Sequence, residues 1–444
     1  MTTKSKKSIV RVLIDIDAML VSITEKNNKR GIYWTACNLI KEFIANKDLQ
    51  ITFITNRFST DLYKQLCKEE PVFKNFECIT EKYENKFFTY IVANRIKFRK
   101  RKRNSRGLKS LVNFVCYIFF TILVKLKKVF DFVIVKPILI KFDVYQSMFY
   151  RIPDSIMKNP KIKKKCILVH DAIPLIDNFG KIKIESISRR NFLNIFKNLD
   201  ENVIFFCNSS YTREEFLRFF PKYRDNRIIV APLAANKKQF YRIENEDVTR
   251  TNETLSRYGI PTDRKYILSI CALDLRKNLR SLIVGFDDFL KSNSIINDLC
   301  LVLAGPYGTS DARLTLLKTR SKKLQTRIIT TGYIDKNDIN IVYNKAFCFA
   351  FLSFYEGFGL PILEAMQCGI PVISSNTSSM PEVYGDSAIG VDPNNKDEFL
   401  RALRKIYFDM EARNTFIAKG LERSKLFSWD ITAKIFIDEY KKID

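Results

Sequence analysis

Short apolar runs alternate along most of this chain with segments whose apolar residues recur at helical spacing. The runs have the length of strands, and each is bounded by turn residues or by a helical segment. We predict strands at Ser8–Ile16, Leu49–Thr55, Ile167–Val169, Val203–Cys207, Arg227–Pro232, Tyr266–Cys271, Leu299–Gly305, Arg327–Gly332, Ala346–Ser353 and Pro371–Ser374. We predict helices at Ile32–Ile44, from Leu279 to Leu290, from Pro361 to Cys368, and from about Phe427 to the C-terminus. This alternation is typical of the α/β class.

One stretch of this pattern, Phe354–Glu364, carries the strongest candidate chemistry and reads FYEGFGLPILE. It follows the strand predicted at Ala346–Ser353. It leads into a helix with Pro361 at its start and Gly369 just beyond its end, as helix termini prefer. Its glycines therefore lie in a turn at the carboxyl end of a strand, where open α/β sheets bind ligands.

The turn offers two kinds of contact to a ligand. Its glycines allow the N–H groups of Phe358, Gly359 and Leu360 to approach an anion at a helix N-terminus. Glu356 and Glu364 flank the turn, and an ionised carboxylate accepts several hydrogen bonds from hydroxyl groups. An anion site between two hydroxyl acceptors suits a nucleotide sugar. On spacing alone, a purely structural turn fits equally well.

A second anion site is predicted in the turn after the strand at Tyr266–Cys271. Arg276 and Lys277 lie there, directly before Asn278, which we predict to cap the next helix. Two cations beside a helix N-terminus fit a diphosphate. Ordinary surface cations are the alternative interpretation.

Composition indicates a large globular protein with an anionic partner. The 444 residues include 46% hydrophobic and 28% charged residues, enough for two domains, and the formal net charge is +27. Ten cysteines without a C-x-x-C pair and a single histidine predict neither a zinc site nor a disulfide framework, which favours a reducing cytosol. Arg11, Asp15 and Asp17 interrupt the first apolar run, so we interpret that run as a strand and not as a signal peptide.

The segment Asn85–Phe130 has an unusual composition. It contains thirteen cations and no acid, and its Leu111–Val124 portion is uncharged. That portion is shorter than the roughly 20 residues that span a bilayer, and its polar residues form one helical stripe. We predict a helix that docks on an anionic membrane surface, the alternative being a core helix beside a solvated basic loop. The cations predicted to contact lipid are Arg99, Lys100, Arg101, Lys102, Arg103, Lys125, Lys127 and Lys128.

Glu356 to Val383, EGFGLPILEAMQCGIPVISSNTSSMPEV, resembles the Glu-x7-Glu signature of retaining glycosyltransferases of family 4, in group 1 with the mannosyltransferases. The resemblance implies the GT-B fold, an α/β fold of two Rossmann-like domains facing each other across a cleft. It also implies that Glu356 contacts the donor sugar and that Glu364 holds the ribose hydroxyls.

Other segments extend the resemblance. HDAIPL resembles the family's amino-terminal active-site motif, which implies that His170 contacts the donor sugar, although a lone histidine after a strand is by itself more often structural. LRKN resembles the diphosphate-binding segment and assigns that role to Lys277, with Arg276 beside it. Ile334 falls where the family reads the nucleobase. Gly31 is the only glycine in the place of the glycine-rich turn that faces the phosphates and the acceptor.

The sequence departs from the family pattern beside the predicted diphosphate site. Many members carry a glycine and an arginine there, and this chain has Cys271 and Ala272. The only D-x-D, Asp15-Ile-Asp17, ends the first strand and is not part of the donor motifs. We therefore predict no metal site and no cofactor, with a UDP- or GDP-linked sugar as substrate.

Together these inferences predict a retaining hexosyltransferase that moves a sugar to a glycan or lipid-linked acceptor in cell-surface polysaccharide or glycoconjugate assembly. Residues 1–240 form the acceptor domain with an insert at about 85–130, residues 241–427 form the donor domain, and a helix at about 428–444 crosses back. We predict a cytoplasmic location at the inner face of the plasma membrane and no nucleic-acid partner. The alternatives are a nucleotide-sugar epimerase or hydrolase of related fold, or a basic protein that binds nucleic acid or membrane.

Overall fold

The computed structural model describes residues 9–24, 31–55, 60–80, 98, 111–123, 142–176, 186–270, 275–293, 295–305, 324 and 326–442. The strands are β1 (Val10–Asp15), β2 (Leu49–Thr55), β3 (Cys78–Thr80), β4 (Val144–Ser147), β5 (Lys164–Val169), β6 (Val203–Cys207), β7 (Ile228–Val230), β8 (Lys265–Ile270), β9 (Leu299–Ala304), β10 (Ile328–Gly332), β11 (Cys348–Phe351), β12 (Val372–Ser375) and β13 (Ile389–Val391).

The helices are α1 (Asp17–Thr24), α2 (Gly31–Ala45), α3 (Thr60–Glu69), α4 (111–123), α5 (Asp154–Met157), α6 (Ser186–Ile195), α7 (Ser210–Phe219), α8 (Val248–Arg257), α9 (Leu279–Ser292), α10 (Ile339–Asn344), α11 (Leu360–Gln367), α12 (Met380–Tyr384), α13 (Lys396–Phe408), α14 (Met410–Lys425) and α15 (Trp429–Tyr440). Single 3-10 turns occur at Pro71–Asn75, Ile173–Leu175, Pro221–Tyr223 and Leu275–Lys277.

Strands β1 to β7 form one sheet in the order β3-β2-β1-β4-β5-β6-β7. The pairs β1–β2, β1–β4, β2–β3, β4–β5 and β6–β7 are parallel. Every residue of β6 is buried, which matches its continuous apolar sequence VIFFC. Strands buried on both faces are expected where helices cover both sides of a parallel sheet.

Strands β8 to β13 form a second sheet in the order β10-β9-β8-β11-β12-β13, and its pairs are parallel. Its central register aligns Lys265 with Leu299 and Ile270 with Ala304. Strand β11 is also parallel to β8, with Cys348 opposite Ile267, so the carboxyl ends of β8 and β11 lie at one edge of the sheet. The turn before α9 and the glycine turn before α11 both begin at this edge.

The chain packs as two compact units. One comprises residues 1–167, 198–204 and 440–444, and the other comprises residues 168–197 and 205–439. In the first unit, the Tyr440 hydroxyl donates to Gln146 Oε1 at 2.7 Å. In the second, the rings of Phe206 and Phe436 stack with centroids 3.8 Å apart. These units describe packing, so the predicted domain boundaries and the predicted return of the terminal helix stay predictions.

Most predicted elements are confirmed within one to three residues, and two predictions at helix starts are wrong. The first apolar run is not strand throughout, because β1 ends at Asp15 and α1 begins at Asp17. The Asp15 carboxylate accepts from the Asp17 N–H at 2.8 Å, and Asp17 accepts from the Thr55 hydroxyl at 2.6 Å. These side chains stabilise a strand-to-helix turn.

Asn278 precedes α9 as predicted, but its side chain does not cap the helix. Its φ of 51° is left-handed, and its Nδ2 donates to the Pro393 carbonyl at 2.7 Å. Asparagine tolerates this conformation better than most residues. The side chain therefore connects two loops and does not accept from the helix N–H groups.

Helix α4 lies where the uncharged segment of the basic insert predicted one. Its large apolar side chains are 37–59% exposed, at Leu111, Val112, Phe114, Val115, Ile118, Phe119 and Ile122. The polar stripe of Asn113, Tyr117 and Thr121 is only partly exposed. A core helix would bury the apolar face. Among the described residues, no helix is both long enough and apolar enough to cross a membrane.

Candidate active site

The glycine turn between β11 and α11 is built by two glycines with different roles. Gly359 has φ of 108° and begins the helix, a conformation that L side chains rarely adopt. Gly357 is packed tightly, since a Cβ there would lie 2.3 Å from the His170 carbonyl oxygen and 2.8 Å from Asp171 Cβ. The turn therefore approaches the end of β5 more closely than any side chain at 357 permits.

The predicted cations meet the first glutamate of the motif. Lys277 Nζ lies 2.6 Å and Arg276 Nη1 3.0 Å from the same oxygen of Glu356. Burial opposes ionisation of Glu356, but the two cations outweigh it and lower its pKa to about 2. Among these three side chains, two cations face one carboxylate at the sheet edge.

Hydrogen bonds fix the main chain around Glu356. Arg276 Nη1 donates to the Tyr355 carbonyl at 2.6 Å, and the Phe354 N–H donates to the Arg276 carbonyl at 2.9 Å. Ser379 Oγ donates to the carbonyls of Glu356 and Phe358 at 2.9 and 3.0 Å. The sequence did not single out Ser379, so its role is inferred from these contacts alone.

His170 follows β5, and its main chain is part of the site. Asn208 Nδ2 donates to the His170 carbonyl at 2.7 Å. The next residue, Asp171, accepts from the Ile173 N–H at 2.9 Å. Burial raises the pKa of Asp171 to about 6, while Arg276 and Glu356 act on it in opposite directions. Sequence reasoning missed this carboxylate, although it is the second letter of HDAIPL.

Glu364 lies on α11, in a different environment from Glu356. The Tyr343 hydroxyl donates to Glu364 Oε2 at 2.7 Å. Burial raises the pKa of Glu364 to about 7, although the hydrogen bond from Tyr343 lowers it. No described cation forms an ion pair with Glu364, so near neutral pH this carboxyl is divided between its protonated and ionised forms.

The remaining predicted residues lie at different places. Ile334 is buried and is separated from the end of β10 by Tyr333. The N–H of the next residue, Asp335, donates to the Tyr258 hydroxyl at 3.0 Å. Leu360 begins α11. Gly31 begins α2, and a Cβ there would meet nothing within 4 Å, so neither its backbone nor its surroundings require glycine.

Several predicted positions lie outside the described residues. They are Cys271, Ala272 and the lipid-contacting cations Arg99, Lys100, Arg101, Lys102, Arg103, Lys125, Lys127 and Lys128. Across the part of the chain that the structure describes, no group of three or more His, Cys, Asp or Glu side chains is placed to hold a metal ion.

Residues 251–423 match the protein family described as "Glycosyl transferases group 1". The O-antigen chain mannosyltransferase B of Escherichia coli is 33% identical over 247 residues. That similarity covers 56% of this chain and 62% of the relative, so the chain spans less than two thirds of the relative's length.

Solved structures show the same fold over nearly the whole chain. Sucrose-phosphate synthase from Thermosynechococcus elongatus has a TM-score of 0.62 at 16% identity and covers 98% of both chains. HepE from Anabaena in complex with UDP and glucose has a TM-score of 0.62 at 12% identity, covering 97% of this chain and 99% of that one. These matches and the two parallel sheets confirm the predicted α/β fold of the GT-B type. Residues 251–423 are thus similar to the group 1 glycosyltransferases, the family that the residues around the glycine turn resemble.

Proposed function

We propose that this protein is a retaining glycosyltransferase that moves a sugar from a nucleoside-diphosphate donor to a glycan or lipid-linked acceptor. The observation that carries the proposal is the cluster of Arg276, Lys277 and Glu356 at the edge where β8 and β11 end. Its cations and the N-terminus of α11 match a leaving diphosphate, and Glu356 matches sugar hydroxyls.

In this reaction the bond between the sugar anomeric carbon and the diphosphate oxygen breaks. A bond to the acceptor oxygen forms, and the acceptor hydroxyl gives its proton to the leaving diphosphate. Negative charge grows on the leaving diphosphate, and positive charge grows on the sugar ring. Arg276 and Lys277 stabilise the first charge, and ionised Glu356 favours the second. Because protein cations supply the charge on the phosphate side, we propose that transfer needs neither a metal nor a cofactor.

The comparisons support a proposal for the donor and acceptor classes. One solved neighbour holds UDP and glucose, and the Escherichia coli relative is named as an O-antigen chain mannosyltransferase. We propose a UDP- or GDP-linked hexose, with mannose as the first sugar to test, and a polysaccharide or glycoconjugate acceptor. In this assignment Glu364 holds the ribose and the backbone at Ile334 contacts the nucleobase.

A donor panel tests the proposal. The purified protein is incubated with UDP- and GDP-linked hexoses in chelator, with and without glycan and lipid-linked acceptors, and the anomeric configuration of the product is read by NMR. Acceptor-dependent transfer with retention is the expected result. A changed sugar that stays attached to its nucleotide would identify an epimerase instead, and nucleotide release that no acceptor increases would identify a hydrolase.

Donor binding should weaken as the pH falls through neutrality. Glu364 has a pKa raised to about 7, and only the ionised carboxylate accepts hydrogen bonds from both ribose hydroxyls. Between pH 8 and pH 6 its ionised fraction falls from roughly nine-tenths to roughly one-tenth, so the donor KM should rise several-fold. Glu356, with its pKa lowered to about 2, stays ionised throughout. Steady-state kinetics at each pH measures this, and Glu364→Gln should flatten the profile. A constant wild-type KM would contradict the assignment.

We further propose that helix α4 docks on an anionic membrane, which places the enzyme at the inner face of the plasma membrane beside a lipid-linked acceptor. Seven large apolar side chains of α4 are exposed together, from Leu111 to Ile122. In the sequence, basic runs at Arg99–Arg103 and Lys125–Lys128 flank this helix. An apolar face between cations is the pattern of interfacial helices.

Vesicle flotation separates the contribution of the cations to membrane binding from the contribution of the apolar face of α4. Replacing Arg99–Arg103 with glutamines should weaken binding to phosphatidylglycerol vesicles by about tenfold or more at low salt, because each cation near the surface contributes about 1 kcal/mol. Replacing Val115, Phe119 and Ile122 with serine should remove the part of vesicle binding that resists salt. Ile295→Ser is the matched control, since Ile295 is exposed elsewhere. Equal flotation of wild type and both variants would refute docking through α4.

A further inference from the structure

The two residues that flank Glu356 in the chain are held by one face of helix α7. The hydroxyls of Ser209 and Thr212 each donate to the Gly357 carbonyl at 3.1 Å. One turn further along, Glu215 accepts a hydrogen bond from the Tyr355 hydroxyl. Positions three residues apart lie on the same side of a helix, so both contacts come from a single surface.

These contacts are buried, so solvent does not replace them. Ser209, Thr212, Glu215 and Tyr355 are between 0 and 5% exposed. Burial raises the pKa of the Glu215 carboxyl and of the Tyr355 hydroxyl, which keeps the tyrosine a donor at neutral pH. Buried hydrogen bonds of this kind are costly to break, because the abandoned partner stays desolvated.

Helix α7 has a separate anchor at its N-terminus. The N–H groups of Ser210 and Tyr211 donate to the two oxygens of Glu382 at 2.8 and 2.6 Å. A carboxylate is favourable there because helix N-terminal N–H groups lack partners within the helix. Arg423 Nη2 in turn donates to the Glu382 carbonyl at 2.7 Å. The helix is therefore placed independently of its contacts to Tyr355 and Gly357.

We propose that the Ser209–Thr212–Glu215 face of α7 is a positioning element of the donor-sugar site, which orients Glu356 by holding the residues on both sides of it. This inference rests on the proposed function of Glu356 as the donor-sugar contact. Ser209 at the N-cap of α7, with Thr212 and Glu215 within the helix, acts through the main chain of the glycine turn and through the Tyr355 ring. Catalytic geometry tolerates little displacement, since a shift of about 1 Å costs about 10²-fold in rate.

Two hydroxyl deletions test the element with little change in side-chain volume. Tyr355→Phe and Thr212→Val should each lower kcat for transfer by about tenfold, with the donor KM within about twofold of wild type, because the diphosphate and ribose contacts are intact. Thr212→Ser keeps the hydroxyl and should restore kcat. Glu214→Gln is the matched control, because Glu214 is an exposed neighbour on the same helix.

The outcomes separate positioning from stability and from the proposed function. Melting temperatures that fall while kcat per folded molecule equals that of wild type would make the α7 face merely structural and would overturn the inference. A loss of kcat in Thr212→Ser equal to that in Thr212→Val would overturn it as well. If wild type turns over no donor in the panel, the proposed function fails and the inference falls with it.

Discussion

Replacing Lys277 with alanine should lower kcat/KM by about 10²-fold or more. Lys277 Nζ is 2.6 Å from Glu356, and its side chain is only 10% exposed. A charge-assisted contact to the leaving diphosphate in such a site is stronger in the transition state than in the ground state. Its loss should therefore appear mainly in kcat, and the loss of transition-state stabilisation is roughly 3 kcal/mol for a 10²-fold effect.

The Lys277→Ala substitution should also change the pKa of Glu356. Burial raises the pKa of Glu356, and without Lys277 mainly Arg276 is left to lower it. The pKa of Glu356 should therefore rise from its lowered value. A carboxyl with a lowered folded-state pKa contributes stability above its unfolded pKa and loses that stability as the pH falls. The Lys277→Ala protein should therefore be less stable than wild type at neutral pH, with a smaller difference in acid.

Lys291→Ala gives the matched comparison. Lys291 lies in the last turn of α9, far along the helix from Lys277, and forms an exposed ion pair with Asp287 at 2.6 Å. Exposed pairs of this kind contribute little, about 0 to 1 kcal/mol. Steady-state kinetics and thermal melts of both variants should separate loss of the phosphate contact from loss of a surface charge. Wild-type kcat/KM in the Lys277 variant would remove the diphosphate assignment.

The sequence predicted the elements whose periodicity is strong and local. Strand β6 at Val203–Cys207 and strand β2 at Leu49–Thr55 have the predicted bounds. Helix α1 was missed because its apolar residues continue the run of β1 without a break, so length and composition alone do not divide them. The division is made by the Asp15 side chain, which binds the N–H of Asp17.

The candidate site was predictable where its residues are close in sequence. The motif identified Glu356 and Glu364 together, but it gave no sign that their environments differ. Two cations lower the pKa of Glu356 to about 2, whereas burial raises that of Glu364 to about 7. The difference depends on neighbours 79 and 21 residues away, Lys277 and Tyr343. Such pairings follow from the tertiary fold, which spacing within a motif does not report.

Gly357→Ala should be strongly damaging for the addition of a single methyl group. The added Cβ would lie 2.3 Å from the His170 carbonyl oxygen and 2.8 Å from Asp171 Cβ. Real contacts of this kind are longer than 3.0 Å, and a main-chain oxygen has no rotamer through which to withdraw. The glycine turn must therefore move away from the end of β5. We expect stability to fall by about 1 to 3 kcal/mol and kcat/KM to fall by about 10²-fold.

Unlike Gly357→Ala, the substitution Gly31→Ala should not lower the stability of the protein. Gly31 is in helix α2, and a Cβ there meets nothing within 4 Å. Alanine at such a position should leave the melting temperature unchanged or raise it, because it restricts the unfolded chain. Its activity separately tests the predicted phosphate-loop role of Gly31.

The displacement in Gly357→Ala separates His170 from Glu356 while every side chain of the proposed donor site is retained. If activity depends on these two residues acting on one sugar, the folded variant should bind the nucleoside diphosphate nearly as well as wild type, yet transfer poorly. Isothermal titration with UDP and GDP, beside transfer rates, measures both. Binding and transfer that fall together would place the damage at the diphosphate cluster instead. A variant with wild-type transfer would show that the approach of the turn to His170 has no part in the reaction.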